Sequence, residues 1–227
     1  MKEAIILCGG QGSRLKSSVQ DRQKCVAEIN GRPFLWLICD YLKSYDVEHL
    51  VLCTGYKSDT VRTVADELKR DFRIDVSREE EPLGTGGAVK NAKEFMQSEN
   101  FFVLNGDSYC PVNLNDAFDM HLQKKTVATI ALTKMAKNED CGNVTIDDNM
   151  KLKTFAEKTS LDSPYVNTGI YLFNREVFDE FPETEKFSLE KSLFPSLISK
   201  GISGYVSSVK LIDIGTPERF ANAQNIL

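Results

Sequence analysis

The sequence predicts an α/β fold in which a mostly parallel central sheet is covered by helices and a smaller antiparallel part follows it. Three observations carry this. Continuous apolar runs, such as Ala4 to Leu7 and Phe101 to Leu104, suit strands covered on both faces. Between them lie segments with helical apolar spacing, and the alternation implies right-handed crossovers. After about residue 125 the runs become shorter and more polar, with turn residues between them, as hairpins require.

The first strand, about Glu3 to Leu7, ends in Cys8-Gly9-Gly10-Gln11-Gly12-Ser13-Arg14-Leu15. Glycine here allows backbone N–H groups to approach a polyphosphate, and the Arg14 guanidinium presents a planar fork to its oxygens. Two familiar glycine loops do not fit. No Gly-Lys-Ser/Thr tripeptide occurs anywhere, which excludes a Walker A loop, and a dinucleotide fingerprint begun at Gly10 and Gly12 meets the large Leu15 where glycine or alanine is needed.

A long polar loop containing Lys24 follows, and Gly31-Arg32-Pro33 opens a helix with Phe34, Leu35, Ile38, Tyr41 and Leu42 on one face. His49 to Thr54 is the next buried strand, and Ser58 is expected to cap a helix carrying Val61, Val64, Ala65 and Leu68. A strand near Ile74 to Ser77 leads to a second glycine loop, Glu79-Glu80-Glu81-Pro82-Leu83-Gly84-Thr85-Gly86-Gly87, then a helix over Ala88 to Met96 and a strand ending in Asn105-Gly106-Asp107. Ligands of parallel sheets bind beyond the carboxyl ends of the strands, so both glycine loops and Asp107 converge on one edge.

In the second half, Val127 to Leu132, Gly142 to Ile146 and Lys151 to Phe155 read as antiparallel strands, and Val166 to Phe173 as a further one. Arg175 to Phe181 and Leu189 to Ser199 are expected helices. Leu211-Ile212-Asp213 ends a short strand before Gly215-Thr216-Pro217 starts the closing helix. The 227 residues form one expected domain, with a nucleotide-binding half over about 1–125 and a sugar-binding half over about 126–227.

A formal charge of −5 with scattered Lys and Arg gives no basic stripe for nucleic acid or an anionic membrane surface. No run reaches membrane-spanning length, and no signal-peptide pattern follows Met1, so the cytoplasm is the expected compartment. Six cysteines without a C-x-x-C pair and only two histidines argue against a zinc site, a disulfide framework and a Ser-His-Asp or Cys-His triad. Asp107 and Asp213, each beside a glycine at a strand end, are the pair of oxygen ligands Mg²⁺ typically takes from a protein.

Taken in order, Gly9-Gly10-x-Gly12-x-Arg14-Leu15, Lys24, Glu81-Pro82-Leu83-Gly84-Thr85-Gly86-Gly87, Asn105-Gly106-Asp107, Glu157-Lys158, Asn167-Thr168-Gly169-Ile170-Tyr171 and Asp213-Ile214-Gly215-Thr216-Pro217 resemble the sugar-1-phosphate nucleotidyltransferases. Within that family the chain is most similar to the short D-glycero-α-D-manno-heptose 1-phosphate guanylyltransferases. The resemblance covers nearly the whole chain and implies a Rossmann-like, three-layer domain. It also implies that Leu7, Gly9, Gly10, Gly12, Gly84 and Thr85 face the nucleotide, that Arg14 holds the leaving pyrophosphate, and that Lys24 sits on the α-phosphate. By the same carry-over Asp107 and Asp213 hold Mg²⁺, Glu157 binds sugar hydroxyls, Lys158 the sugar phosphate, and Gly142, Asn167 and Thr168 line the sugar pocket.

The chemistry is consistent with that set. A sugar 1-phosphate is already an anion, so in-line attack on the α-phosphorus of a nucleoside triphosphate needs positioning and charge neutralisation rather than a general base. Guanine offers two adjacent donors that a carboxylate accepts together, which points to Glu81, or failing that Glu80, as the reader of GTP. Mannose 1-phosphate, or UTP with an amino-sugar phosphate, is the alternative substrate pair, and a catalytically silent nucleotide-sugar sensor is the alternative class. The family's proline before the loop lysine is replaced by Gln23, which is expected to leave the loop more mobile.

Overall fold

The computed structural model describes residues 1–10, 22–135, 142–157 and 163–227, with Glu157 described by its backbone. Gly12, Arg14, Cys141 and Lys158 lie outside these residues. Strand β1 (Lys2–Leu7) is followed by the small antiparallel pair β2 (Glu28–Ile29) and β3 (Arg32–Pro33), then α1 (Phe34–Lys43), β4 (Val47–Thr54), α2 (Ser58–Leu68), β5 (Arg73–Arg78), α3 (Gly84–Asn91) and β6 (Asn100–Asn105). Next come β7 (Ser108–Tyr109), α4 (Leu114–Lys124), β8 (Ala128–Lys134), β9 (Gly142–Ile146), β10 (Leu152–Glu157) and β11 (Tyr165–Asn174). The chain closes through α5 (Phe194–Leu197), β12 (Ser203–Ser207), β13 (Ile212–Asp213) and α6 (Pro217–Ile226).

One nine-stranded sheet spans both halves, in the order β10-β9-β11-β6-β1-β4-β5, with β8 paired to β11 and β12. Strands β6, β1, β4 and β5 run parallel, and β11 joins them antiparallel to β6. The expected antiparallel strands are present, β9 paired with β10 and both joined to this same sheet through β11. Strand β11 is buried along most of its length, so β8 and β9 attach to it and extend the parallel sheet as a mixed one.

Alternate residues of β1 and β6 feed two cores, one on each sheet face. Ala4, Ile6, Phe102 and Leu104 pack with α1, α2 and α4, whereas Ile5, Phe101 and Val103 pack with Tyr171, Phe173 and Phe194. Burial of this kind contributes roughly 1.5–3 kcal/mol per large apolar side chain, which is what fixes register.

Some boundaries differ from expectation. Ser58 is the first residue of α2 rather than its cap, because Lys57 occupies the N-cap in a left-handed conformation with no side-chain cap bond. The glycines at 84–87 are the first turn of α3, not a loop before it. Cβ atoms added at Gly86 and Gly87 would lie 2.2 Å from the Phe187 ring and 2.2 Å from the Glu185 carbonyl oxygen. The turn therefore packs directly on the 185–187 backbone, and that contact outweighs glycine's poor helix propensity. The segment predicted as one helix over Leu189 to Ser199 winds as a π turn over Leu189–Leu193, then α5, then a 3₁₀ turn over Ile198–Lys200. Among the described residues no helix is long and apolar enough to cross a membrane.

Candidate active site

A cavity of about 560 Å³ opens at the carboxyl ends of β1 and β6. One side is built by Leu7, Gly9 and Gly10 at and after the end of β1 and by Gly84 and Thr85 at the start of α3, all residues expected to face a nucleotide. Its other side is built by Gly142 on β9 and by Asn167 and Thr168 on β11. Lys24, Asp107 and Asp213 line the floor between the two.

The local sequence explains how these groups are held. Lys24 starts a 3₁₀ turn over Lys24–Val26 whose other residues, Cys25 and Val26, are buried, so the lysine is carried on an anchored turn. Its Nζ lies 3.5 Å from Asp107 Oδ2. Gln23 does not loosen this turn as expected. Its side chain is buried and donates to the Tyr56 carbonyl, and its N–H donates to Thr60 Oγ1 at 3.3 Å, so it ties the turn to the loop after β4. Proline supplies neither bond.

Asp107 and Asp213 come from neighbouring backbones. β13 pairs with β7 so that Asp213 faces Ser108, and the Ile214 N–H donates to the Asp107 carbonyl at 3.0 Å. Asp213 Oδ1 accepts from the Gly215 N–H, and Oδ2 accepts from Arg219 Nη1, both at 2.9 Å. Among the described residues no cluster of three or more His, Cys, Asp or Glu is suited to a metal. Two carboxylates lining one cavity fit a hard divalent cation that takes its remaining oxygens from phosphate and water.

Glu81 and Glu80 are the residues expected to read guanine. Both side chains are exposed and neither lines the cavity. Glu79 does line it, with its carboxylate packed over two glycines: a Cβ added at Gly9 or Gly55 would stand 2.9 or 2.7 Å from Oε1. Oε2 accepts from the Leu83 N–H at 3.1 Å. Burial pushes the Glu79 carboxyl above its ordinary range, and the Leu83 bond opposes that shift. Sequence alone could not separate three consecutive glutamates. The Glu79 N–H donates to the Thr54 carbonyl at 2.8 Å, which prolongs the β4–β5 pairing by one step and, of the three glutamates, brings Glu79 to the cavity wall.

On the opposite side of the cavity, Asn167 and Thr168 lie where β11 slips against β8, between the pairs Asn167 with Leu132 and Tyr171 with Ile130. Such a bulge re-aims side chains at a sheet's rim. Gly169 adopts φ +77° there, and the Asn105 amide fills the space where its side chain would be. Thr168 Oγ1 is committed to the Ala131 carbonyl at 2.9 Å, so its cavity face is not its hydroxyl. Gly142 pairs with Glu157, which sets the Glu157 backbone directly across from the cavity wall.

Asn105, quoted above in its motif without a role, lines the cavity together with Glu190, Lys191 and Arg219, which had no signal in the sequence. Asn105 Oδ1 is buried with no partner among the described residues. Glu190 collects the hydroxyls of Thr85 at 2.6 Å, Ser188 at 2.8 Å and Tyr171 at 3.1 Å. Lys191 and Arg219 add positive charge. Cys8 and Cys25 also line the cavity, but the Cys8 thiol is held well above its ordinary range by its hydrogen bond with Cys25 and by burial, so it is no nucleophile at neutral pH.

The family model described as nucleotidyl transferase matches residues 3–227. The chain is 37% identical over 226 residues to D-glycero-alpha-D-manno-heptose 1-phosphate guanylyltransferase of Aneurinibacillus thermoaerophilus, covering 99% of this chain and 98% of that protein. It is 32% identical to mannose-1-phosphate guanylyltransferase of Mycobacterium tuberculosis, covering 96% of this chain and 62% of that longer protein. Among solved structures it is similar to HddC from Yersinia pseudotuberculosis complexed with GMP-PN, with 30% identity, a TM-score of 0.84, and coverage of 100% of this chain and 99% of that one.

Proposed function

Because the chain belongs to the nucleotidyl transferase family, we propose that it transfers GMP from GTP to a sugar 1-phosphate, D-glycero-α-D-manno-heptose 1-phosphate, to give the GDP-sugar and pyrophosphate. A sugar phosphate oxygen forms the new bond to the α-phosphorus, the bond from that phosphorus to the bridging oxygen of the β-phosphate breaks, and pyrophosphate leaves. The carrying observation is that the β1 glycines, Lys24, Asp107 and Asp213, and the rim of β11 open onto one cavity. Two substrates laid from opposite sides meet over the lysine and the carboxylates.

The described groups have roles that their positions support, and Arg14, Lys158 and the Glu157 side chain keep those implied by the resemblance. The N–H groups at Gly9 and Gly10 face the triphosphate, and Lys24 neutralises charge on the α-phosphate as two anions approach. Asp107 and Asp213 would hold Mg²⁺, which offsets the same repulsion when bound. Arg14 is assigned to the leaving pyrophosphate, with Glu157 and Lys158 on the sugar hydroxyls and sugar phosphate. Asn167 and Asn105 supply further amides toward the sugar, and Glu79 accepts from guanine. No general base is required, because the attacking oxygen carries no proton at neutral pH. The enzyme works on small cytoplasmic metabolites in this reading.

The test is pyrophosphate release with Mg²⁺, crossing GTP, UTP, CTP, ATP and dTTP against the 1-phosphates of the heptose, mannose, glucose and N-acetylglucosamine. Release is expected to be fastest with GTP and the heptose. Faster turnover of mannose 1-phosphate would move the acceptor to the alternative that the mycobacterial relative's name suggests. Absence of release from a folded, nucleotide-binding protein would overturn the enzymatic reading.

A further inference from the structure

The carboxylates assigned to the metal are each already matched by a cation. Lys24 Nζ stands 3.5 Å from Asp107 Oδ2, and Arg219 Nη1 stands 2.9 Å from Asp213 Oδ2. Asp213 is the more committed of the two, because its other oxygen takes the Gly215 N–H and its side chain is only 19% exposed against 38% for Asp107.

Arg219 is an unlikely choice for a purely structural residue. It occupies the first turn of α6, just after the Thr216 cap and Pro217, where the helix dipole disfavours a cation. Asp213 offsets that disadvantage, and both side chains line the cavity. Among the described residues each of these two carboxylates therefore faces a cation, which offsets the negative charge that would otherwise draw in a free divalent ion. A triphosphate changes this, because it brings oxygens for the lysine and the guanidinium to turn to.

We propose that Arg219 is the resident counter-ion of Asp213, and that it makes uptake of divalent metal conditional on bound nucleotide. Arg219 is in this sense a positioning residue for the metal ligand. The inference rests on the magnesium reading given above.

The test is Mn²⁺ binding followed by the electron paramagnetic resonance of the free ion, on the full chain, with and without a non-hydrolysable GTP analogue. The wild type is expected to bind Mn²⁺ weakly alone and more tightly with the analogue. Arg219→Gln should bind Mn²⁺ alone on the order of tenfold more tightly, since an adjacent positive charge has been removed. Arg219→Lys should stay near the wild type, and Asp213→Asn added to Arg219→Gln should abolish the gain. Arg219→Met, which keeps the apolar stem, replaces Arg219→Gln if circular dichroism shows that variant to be unfolded. Unchanged Mn²⁺ affinity in the folded neutral variants, with Asp213→Asn still weakening uptake in the presence of the analogue, would overturn the counter-ion role and leave the metal site standing. No uptake with the analogue, or uptake indifferent to Asp107→Asn and Asp213→Asn, would overturn both.

Discussion

Changing Glu79 to Gln is the sharpest perturbation of nucleotide choice. The Leu83 N–H donates to one carboxylate oxygen. In the variant that N–H claims the single amide oxygen, which leaves the NH₂ facing the base. In the proposed pose guanine presents N1–H and its exocyclic amine to this wall, so donors would meet a donor in place of an anion. Hydrogen bonds to a charged group are worth about 1.5–3 kcal/mol net, and losing them while burying unpaired donors lowers kcat/KM for GTP by about 30- to 150-fold. Uracil presents carbonyl oxygens beside its N3–H, and the amide gains a partner there, so UTP should improve by a few-fold.

The assay is the ratio of kcat/KM for GTP over UTP, with one sugar 1-phosphate fixed and the melting temperature checked to exclude unfolding. The buried carboxyl also protonates at higher pH than an ordinary glutamate. The GTP preference of the wild type should therefore weaken on the acid side, and that of the variant should not. A folded Glu79→Gln protein with the wild-type GTP-to-UTP ratio would refute the reasoning.

Other outcomes are expected. His121 is buried with Nδ1 at 2.8 Å from Thr129 Oγ1 and Nε2 at 3.2 Å from Asn100 Oδ1, and burial pushes its pKa down from 6.5 to about 4. A depressed folded-state value means stability fully present above about 6.5 and lost as pH falls toward 4, a loss of about 2 kcal/mol between pH 7 and 5 by linkage. Urea unfolding at the two pH values should show it in the wild type and not in His121→Gln. Gln23→Pro removes two hydrogen bonds, together about 2 kcal/mol, against an entropic gain of about 0.4–1 kcal/mol, so it should lower the melting temperature rather than stiffen the loop to advantage. Gly86→Ala drives a methyl into the Phe187 ring, which is pinned by Phe181 at 5.2 Å, and should cost about 1–2 kcal/mol after the helix-propensity gain. KM for GTP should rise with it, as steady-state kinetics would show.

Much of this architecture was legible because it depends on properties a linear sequence displays. Strands β1, β4 and β6 are apolar on both faces, and Asp107 and Asp213 stand beside glycines at strand ends. What was missed depends on tertiary contact. The glycines at 84–87 read as a loop because glycine alone disfavours helix, and only the 185–187 segment, a hundred residues away, makes that composition the one that fits. Ser58 looked like a cap because the left-handed Lys57 before it carries no sequence mark. Arg219 and Glu190 sit on helical turns where a charged residue ordinarily means a solvated face. Their partners, Asp213 and the three hydroxyls, are fixed only once the cavity has formed.

The same contrast bears on how the two halves act together. In the proposed reading, residues singled out in the sequence approach substrate through backbone or from strand ends, each within its own half. Glu190, which was not singled out, joins the halves. Asn167 donates to the Tyr171 hydroxyl at 2.8 Å, that hydroxyl donates to Glu190, and Glu190 also accepts from Thr85 on the first turn of α3. A path of hydrogen bonds thus runs from the β11 bulge to the first turn of α3, on opposite sides of the cavity, through a tyrosine that is fully buried. Such a buried network is stable only when every member is satisfied, so the amide of Asn167 and the turn at Thr85 hold each other's geometry. For a reaction whose catalysis is mainly alignment of two phosphates, that mutual constraint sits where misplacement would be felt most.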